Sequence, residues 1–274
     1  MRSFLSLLLI VTLMSSCNSK VKKTQVAPEK SKEFNAAIGN ITDFKTITFK
    51  SKDGLDVTAD LYIVENPKDY ILLCHQAGFS RGEYIETAKK LNNIGYSCIA
   101  IDQRSGKVVN NVINKTASLA IEKGVKVEKY EEAKPDIEAA IDYTYKMNNS
   151  KPIIIVGSSY SASLSLLLAT SNDKIKAVAA FSPGEYLKGI DLTNSIEELN
   201  KPVFVTSSNK EINDVTNLIS KVKSKNKNQF KPAVKGIHGS RVLWKKTKGH
   251  ENYWKSFIDF LNSVEWYVYF SLNI

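Results

Sequence analysis

The sequence contains few of the residues from which metal sites and disulfide frameworks are built. Its 274 residues include three cysteines and three histidines, and no Cys/His spacing resembles that of a zinc site. Cys74 and Cys98 each lie in an apolar, strand-like run, where cysteine usually behaves as a small buried hydrophobic residue. We therefore predict no metal and no other cofactor, and we prefer buried, unpaired thiols to a disulfide or a reactive cysteine.

Two further features are missing, one typical of nucleic-acid-binding proteins and one of membrane-spanning proteins. The formal net charge is +10, but the lysines are scattered and no arginine cluster is interleaved with aromatic residues, as a nucleic-acid-binding groove would require. We predict a solvated basic surface and no nucleic-acid partner. No apolar run reaches the roughly 20 residues that a membrane-spanning helix needs.

The N-terminus instead has the pattern of a secretion signal. Arg2 precedes a short apolar run, Phe4 to Met14, which is typical of a signal peptide over residues 1–16. An ordinary secretory signal, cut near Ser16 and carrying no lipid, is the alternative to the lipoprotein signal described next. In both cases the mature protein leaves the cytoplasm.

Residues 13–17 read Leu-Met-Ser-Ser-Cys and resemble the bacterial lipobox, although Met14 is less usual at its position. This resemblance implies a lipid on Cys17, attachment to a membrane through that lipid, and a location in the bacterial cell envelope. The Lys-, Ser- and Asn-rich stretch that follows contains few apolar residues, and we expect residues 17–43 to form a flexible tether.

From residue 44 onward, strand and helix patterns predict an α/β domain over residues 44–263. An antiparallel hairpin is expected from residues 46–49 and 55–64, on either side of a Lys-Asp-Gly turn. Strands are predicted at Tyr70–Cys74, Ser97–Ile101, Pro152–Val156, Ala177–Phe181, Pro202–Thr206 and Gln229–Val234. Helices are predicted at Tyr84–Ile94, Glu131–Lys146, Ser161–Thr170, Val215–Val222 and Asn252–Asn262. Continuous Val/Ile/Leu strands between amphipathic helices indicate a mostly parallel sheet covered on both faces.

Three stretches fall outside this alternation. Residues 103–127 form a long connection, and long loops in compact domains are often functional. The segment from Phe181 to Lys201 has room for about one helix, so no large cap domain is expected there. The apolar residues 264–274 lie beyond the predicted last helix, and we expect a tail that adds a strand or docks on the surface.

The strongest local motif surrounds Ser159. A buried β-branched strand ending at Val156 is followed by a tight turn and a helix of small residues and leucines, which is the setting of a nucleophile elbow. Such a turn needs small residues two before and two after the nucleophile. Gly157 and Ser161 satisfy this around Ser159, whereas a valine and a tyrosine would clash around Ser158. The alternative is a serine that only caps the helix.

Taken in order, the motifs resemble those of the α/β-hydrolase superfamily over about residues 44–262. Residues 75–80 resemble its His-Gly-x-Gly loop, and residues 101–106 resemble its Asp-x-Arg-Gly-x-Gly turn, in which Asp102 and Arg104 would brace the loop. The short segment before Lys201 resembles small esterases and dienelactone-hydrolase-like enzymes rather than capped epoxide hydrolases. The resemblance implies an α/β-hydrolase fold with helices on both faces and no large cap.

The chain order of that superfamily, Ser then acid then His, leaves His238 and His250 as candidates for the base. His238 lies in a flexible Gly-Ile-His-Gly-Ser loop and is preferred, while His250 opens the last helix. The acid is expected shortly after the strand that ends at Thr206. Glu211 occupies that place, Asp214 is the second choice, and Glu185 is a more distant alternative.

The same resemblance implies an oxyanion hole made of two backbone N–H groups. One belongs to Tyr160, directly after the nucleophile, and the other to Ala77, with Gln76 as the alternative. His75 would then be structural.

These residues predict a serine hydrolase that cleaves carboxylic esters, small or polymer-linked, through an acyl-enzyme. A peptidase or thioesterase with the same triad is the first alternative. A non-catalytic surface-binding lipoprotein on the hydrolase fold is the second.

Overall fold

The computed structural model describes the backbone of residues 44–271 and the side chains of residues 44–265. The predicted signal peptide, the lipidation of Cys17 and the tether up to residue 43 lie outside the described residues. They therefore stay predictions.

The strands of the described residues are β1 (Lys45–Lys50), β2 (Asp56–Tyr62), β3 (Asp69–Cys74), β4 (Tyr96–Ile101), β5 (Val108–Val109), β6 (Val112–Ile113), β7 (Ile153–Ser158), β8 (Ile175–Phe181), β9 (Val203–Thr206) and β10 (Lys227–Phe230). Eight of them form a large central sheet in the order β1-β2-β4-β3-β7-β8-β9-β10. β1 pairs antiparallel with β2 and β2 antiparallel with β4, and all other pairs in this sheet are parallel. The predicted α/β fold with an antiparallel N-terminal hairpin is confirmed.

Helices cover the sheet: α1 (Ile85–Asn93), α2 (Lys115–Glu122), α3 (Lys134–Met147), α4 (Tyr160–Ser171), α5 (Leu192–Ser195), α6 (Ile212–Leu218) and α7 (His250–Ser271). Successive strand residues point to opposite faces, so Ile71 and Leu72 belong to different apolar clusters, one on each side of the sheet. Cys74 and Cys98 are buried in these clusters as free thiols, as predicted.

The connection at residues 103–127 is more regular than predicted. It contains a two-stranded sheet, β5 (Val108–Val109) with β6 (Val112–Ile113), followed by α2. Asn114 caps α2, because its side-chain oxygen accepts a hydrogen bond from the N–H of Ala117 at 2.8 Å. The prediction of one long loop was therefore wrong.

The prediction that the last helix ends at Asn262 was also wrong. α7 runs to Ser271, so residues 264–271 continue the helix and do not form a separate strand or tail. The helix continues past Asn262 because Val264 packs into the same buried cluster as Phe257, Phe260 and Leu261. None of the helices in the described residues is long and apolar enough to cross a membrane.

The segment between β8 and β9 contains the four-residue helix α5 and no other helix or strand. This part of the described chain is too short to form a large cap domain, as predicted. The carboxyl ends of the parallel strands, where α/β proteins bind their ligands, are therefore not roofed by a second domain at this position.

Candidate active site

Ser159 is the single residue between the end of β7 and the start of α4. Its backbone has φ +59° and ψ −124°, in a region that costs a non-glycine residue on the order of 1–3 kcal/mol. The strand and the helix approach so closely that a Cβ on Gly157 would lie 2.4 Å from the carbonyl oxygen of Ser161. Ser159 is partly exposed while both of its neighbours are buried. The turn thus presents this one serine at its tip.

The structure brings Ser159, His238 and Glu211 together in one hydrogen-bonded row. Ser159 Oγ lies 2.8 Å from His238 Nε2, and His238 Nδ1 lies 2.5 Å from Glu211 Oε1. Ser159 comes from the β7–α4 turn, His238 from the loop between β10 and α7, and Glu211 from the 3₁₀ turn Asn209–Glu211 after β9. Residues separated by 79 and 27 positions in the chain therefore meet at one end of the sheet.

The surroundings of Glu211 keep its carboxyl ionised. Partial burial pushes the pKa of Glu211 upward, but hydrogen bonds from His238 and Ser208 outweigh this and lower it to about 2. Ser208 donates through its hydroxyl at 2.6 Å and its N–H at 3.0 Å, and Ser182 Oγ adds a third bond at 3.0 Å, all to Oε2. An ionised Oε1 accepts a hydrogen bond from the N–H of His238 Nδ1, which leaves Nε2 as the acceptor for the Ser159 hydroxyl.

The alternative candidates lie in other contacts. Glu185 accepts hydrogen bonds from the N–H groups of Leu192 and Thr193 at 2.8 and 2.9 Å, at the start of α5. His250 pairs with Glu251 at 2.9 Å at the start of α7. Asp214 lies in the first turn of α6. The structure thus brings the first-choice base and acid to Ser159.

Gln76 and Ala77, the two candidates for the second oxyanion donor, lie in the loop after β3. The N–H of Gln76 already donates to Glu83 Oε2 at 2.8 Å, which leaves Ala77 as the available donor of the pair. Tyr160 occupies the first position of α4, where a backbone N–H has no partner inside its own helix. Both donors that the sequence favoured are therefore placed on the turns flanking β3 and β7.

His75 is a structural residue of this loop. It is fully buried, its Nδ1 lies 2.8 Å from the carbonyl oxygen of Gln76, and its Nε2 accepts from the N–H of Gln103 at 3.0 Å. Burial lowers the pKa of His75, so the ring is held neutral. It ties the loop after β3 to the loop after β4.

Asp102 and Arg104 also stabilise the scaffold. Asp102 accepts from the Arg81 guanidinium at 2.7 Å and from the N–H of Lys115 at 2.8 Å. Arg104 pairs with Asp136 and with Asp53, both at 2.7 Å. These four ion-pair and capping contacts hold β4, α2 and α3 together, as the resemblance implied.

Sequence reasoning missed one buried residue beneath the nucleophile turn, Glu83. Its Oε1 accepts the hydroxyls of Ser158 at 2.7 Å and Ser240 at 2.6 Å, and its Oε2 accepts the N–H of Gln76. Burial raises the pKa of Glu83. This carboxyl joins three segments: residues 75–80 after β3, which we call the oxyanion loop, the nucleophile turn at Ser159, and residues 236–240 around His238, which we call the histidine loop. We call Glu83, Ser158 and Ser240 the floor cluster.

The floor cluster is packed closely under the histidine loop. A Cβ on Gly239, whose φ is +76°, would lie 2.4 Å from Gln76 Oε1 and 2.6 Å from Ser158 Oγ. Ser80 and Glu83 have the spacing of a helix capping box, which assigns Glu83 to a helix end rather than to the interior. That is why the sequence did not reveal it.

Two cavities lined by described residues adjoin this site: Ala77 lines one of them and Glu211 lines the other. The cavity beside the oxyanion loop measures about 690 Å³ and is lined by Ala77, Gly78, Arg104, Ser105, Gly106, Lys107, Ala117, Ala120, Ile121, Gly124, Val125, Lys126, Val127, Glu128 and Tyr130. The cavity on the acid side measures about 390 Å³ and is lined by Pro183, Gly184, Glu185, Tyr186, Thr193, Glu211, Asp214, Asn217 and Leu218. We refer to them as the oxyanion-side cavity and the acid-side cavity.

Solved structures of similar fold include several hydrolases. An esterase from Pyrococcus furiosus aligns with a TM-score of 0.63 and 17% identity, covering 80% of this chain and 92% of that one. A dienelactone hydrolase from Anabaena variabilis aligns with a TM-score of 0.59 and 12% identity, covering 83% of this chain and 98% of that one. A carboxyl esterase from Bacillus coagulans aligns with a TM-score of 0.63 and 11% identity, covering 81% of this chain and 99% of that one. At these identities the likeness establishes the fold.

Comparison with curated protein sequences finds no match. The model of the family described as "Serine aminopeptidase, S33" matches residues 65–256, which include the nucleophile turn, the acid and both histidine candidates. The fold of the described residues and this family match both indicate an α/β-hydrolase. The chain therefore belongs to the serine aminopeptidase S33 family of hydrolases, within the α/β-hydrolase superfamily.

Proposed function

We propose that this protein hydrolyses carboxylic esters, with Ser159 as nucleophile, His238 as general base and Glu211 as the carboxylate that orients it. The observation that carries the proposal is the unbroken hydrogen-bonded row from Ser159 Oγ through the His238 ring to Glu211. A serine hydroxyl is a weak nucleophile unless a base takes its proton. His238 Nε2 lies 2.8 Å from the Ser159 hydroxyl, which supports its assignment as that base.

In the first half of the reaction, Ser159 Oγ attacks the ester carbonyl while His238 Nε2 takes the hydroxyl proton. The carbonyl oxygen becomes an oxyanion that accepts hydrogen bonds from the N–H groups of Ala77 and Tyr160. Loss of one such donor typically costs about 10²–10³ in rate. His238 then gives the proton to the alcohol oxygen, the C–O bond breaks, and the acyl group stays on Ser159.

In the second half, water attacks the acyl-enzyme. His238 takes one proton from this water, the tetrahedral intermediate forms again, and the proton passes to Ser159 Oγ as the acid is released. The ionised carboxylate of Glu211 stabilises the imidazolium in both halves without taking its proton. No cofactor is needed for either step.

Reaction with a fluorophosphonate probe and hydrolysis of p-nitrophenyl acetate test this function. We expect the wild-type protein to do both and the Ser159→Ala variant to do neither. Ser158→Ala is the matched control, because that neighbouring hydroxyl belongs to the floor cluster, and it should still be labelled. Persistent labelling of Ser159→Ala would show that the nucleophile has been assigned to the wrong residue.

The family description favours one second candidate, an aminopeptidase that uses the same three residues. Aminoacyl p-nitroanilides distinguish the two functions, since they carry an amide bond and a free amino group. A higher kcat/KM on such an anilide than on the matching ester would make the peptidase the better assignment. Thioesters belong in the same panel.

We also propose that the mature protein is attached to a membrane of the bacterial envelope by a lipid on Cys17, as the lipobox-like residues 13–17 indicate. Mass spectrometry of the mature N-terminus should find an acylated cysteine there. An unmodified terminus at another residue would contradict this. Cys17→Ala is the control and should lose the lipid.

A further inference from the structure

The two cavities differ in the chemistry of their walls. The oxyanion-side cavity has mainly small and aliphatic walls, and three of its apolar residues are open to solvent. Ile121 is 77% exposed, Val125 37% and Tyr130 38%. Solvent-exposed apolar side chains around a cavity of this size are typical of a site that an apolar ligand covers.

The charges around the oxyanion-side cavity do not favour an ammonium group. Its charged lining residues are Arg104, Lys107, Lys126 and Glu128, three cations against one carboxylate. The Arg104 guanidinium is already paired with Asp53 and Asp136. A free amino group would therefore meet net positive charge here, whereas an uncharged hydrocarbon chain would not.

The acid-side cavity is polar and negative. Glu185, Glu211 and Asp214 contribute three carboxylates, and no lysine or arginine is among the residues that line it. Tyr186 joins it to the base, since its ring meets the His238 ring edge-on with centroids 6.4 Å apart. An anionic group would be repelled from this wall at short range.

The reaction itself decides which part of an ester enters which cavity. His238 must give its proton to the departing alcohol oxygen, so the alcohol lies on the His238 side of the carbonyl. The acyl chain then extends away from His238. The oxyanion-side cavity begins at Ala77, and its Tyr130 ring stacks on the ring of Tyr160 at 4.7 Å. It is therefore lined by one residue assigned as an oxyanion donor and contacts the side chain of the other, whereas His238 is not among its lining residues.

Building on the proposed function, we infer that the substrates are esters of medium-length apolar acyl chains with polar alcohols that carry no negative charge. The acyl chain occupies the oxyanion-side cavity and the alcohol occupies the acid-side cavity. A volume of about 690 Å³ lies within the roughly 300–1,000 Å³ of small-molecule sites and is far larger than an acetyl group requires.

A series of p-nitrophenyl esters with two, four, six and eight acyl carbons tests the acyl assignment. Burial of a methylene raises binding about fourfold, so kcat/KM should rise along the series until the cavity is filled. In the double variant Ile121→Asp, Val125→Asp the ratio of eight-carbon to two-carbon activity should fall by about tenfold or more. Ile63→Asp replaces an apolar residue outside both cavities whose exposure, 46%, lies between those of Ile121 and Val125, and it should keep the wild-type ratio.

The outcomes separate this inference from the proposed function. A wild-type ratio that does not rise with chain length, or a ratio that the double variant leaves unchanged, would overturn the acyl assignment while ester hydrolysis stands. Failure of the wild-type protein to hydrolyse any ester and to react with the fluorophosphonate would overturn the proposed function, and the inference with it.

The alcohol assignment is tested with one acyl group on three alcohols: butyryl esters of choline, glycerol and isethionate, which are cationic, neutral and anionic. We expect the isethionate ester to be the poorest substrate. Asp214→Asn should raise the isethionate-to-choline ratio about threefold or more, and Asp259→Asn, an exposed carboxylate on α7, should not change it. An isethionate ester hydrolysed as fast as the choline ester would overturn the assignment.

Discussion

Two glutamates near the nucleophile turn accept hydrogen bonds from the same kinds of donor. Glu211 accepts the hydroxyls of Ser208 and Ser182, and Glu83 accepts those of Ser158 and Ser240. Each also accepts a backbone N–H. The hydroxyl and N–H donors alone therefore do not explain why the pKa is lowered for one carboxyl and raised for the other.

The difference comes from burial and from the histidine. Glu211 is partly exposed and bonded to His238, and its pKa falls to about 2. Glu83 is fully buried, and burial raises its pKa although its serine hydrogen bonds and the charge of Arg241 oppose this. A carboxylate near solvent with a titratable partner can support proton transfer. One enclosed by hydroxyls serves to hold loops in register.

The largest expected effect separates the two carboxylates in catalysis. Glu211→Gln should lower kcat for p-nitrophenyl acetate on the order of 10⁴-fold, because an amide no longer fixes the His238 tautomer or stabilises the imidazolium. Glu83→Gln keeps the volume and should lower kcat far less. Steady-state kinetics of the two variants measure this difference in kcat. Equal losses of kcat would contradict the assignment of different roles to Glu211 and Glu83.

The second prediction concerns stability, for which we expect Glu83 to matter more than Glu211. Glu83→Ala leaves the Gln76 N–H and two serine hydroxyls without their acceptor, each at a cost of about 1–3 kcal/mol. We expect the free energy of unfolding in urea to fall by about 3 kcal/mol or more. The matched control is Glu65→Ala, an exposed carboxylate in the turn after β2, which should change stability by less than about 0.5 kcal/mol. A similar small change in Glu83→Ala would mean that the floor cluster contributes little.

The smallest effect is a pair of pH dependences of opposite sign. The lowered pKa of Glu211 stabilises the fold above its ordinary pKa of 4.5, and this is lost as the pH falls toward about 2. The raised pKa of Glu83 destabilises the fold as the pH rises above 4.5.

Urea unfolding of the wild-type protein, Glu211→Gln and Glu83→Gln between pH 3 and pH 7 measures both dependences. Relative to wild type, Glu211→Gln should gain stability as the pH falls, and Glu83→Gln as it rises. Slopes of the same sign for the two variants would contradict the comparison.

The sequence predicted best where neighbouring residues determine the structure. The parallel strands were found within a few residues because runs such as 153–156 are β-branched and buried on both sides. The turn at Ser159 was predicted from the small residues Gly157 and Ser161, and the structure has Ser159 at its tip. His238 and Glu211 followed from chain order, and the structure brings both to Ser159.

Prediction failed where distant contacts determine the structure. The end of α7 depends on Val264 packing against the sheet, and α2 is an eight-residue helix whose cap, Asn114, also bonds to the loop at Gln103. Glu83 has the local spacing of a helix cap, but the contacts that fix its carboxyl reach as far as Ser240, 157 positions away. Local patterns carry no information on such pairs.

The floor cluster also has a consequence for the order in which the active site is assembled. The turn at Ser159 and the loop at Gln76 are synthesised long before Ser240, and contacts between residues so far apart in the chain form late in folding. Under the proposed function, Ser159 has no base until the loop that carries His238 docks on Glu83. A chain whose C-terminal part has not yet folded would then be inert toward esters, and activity would begin only when that part is in place.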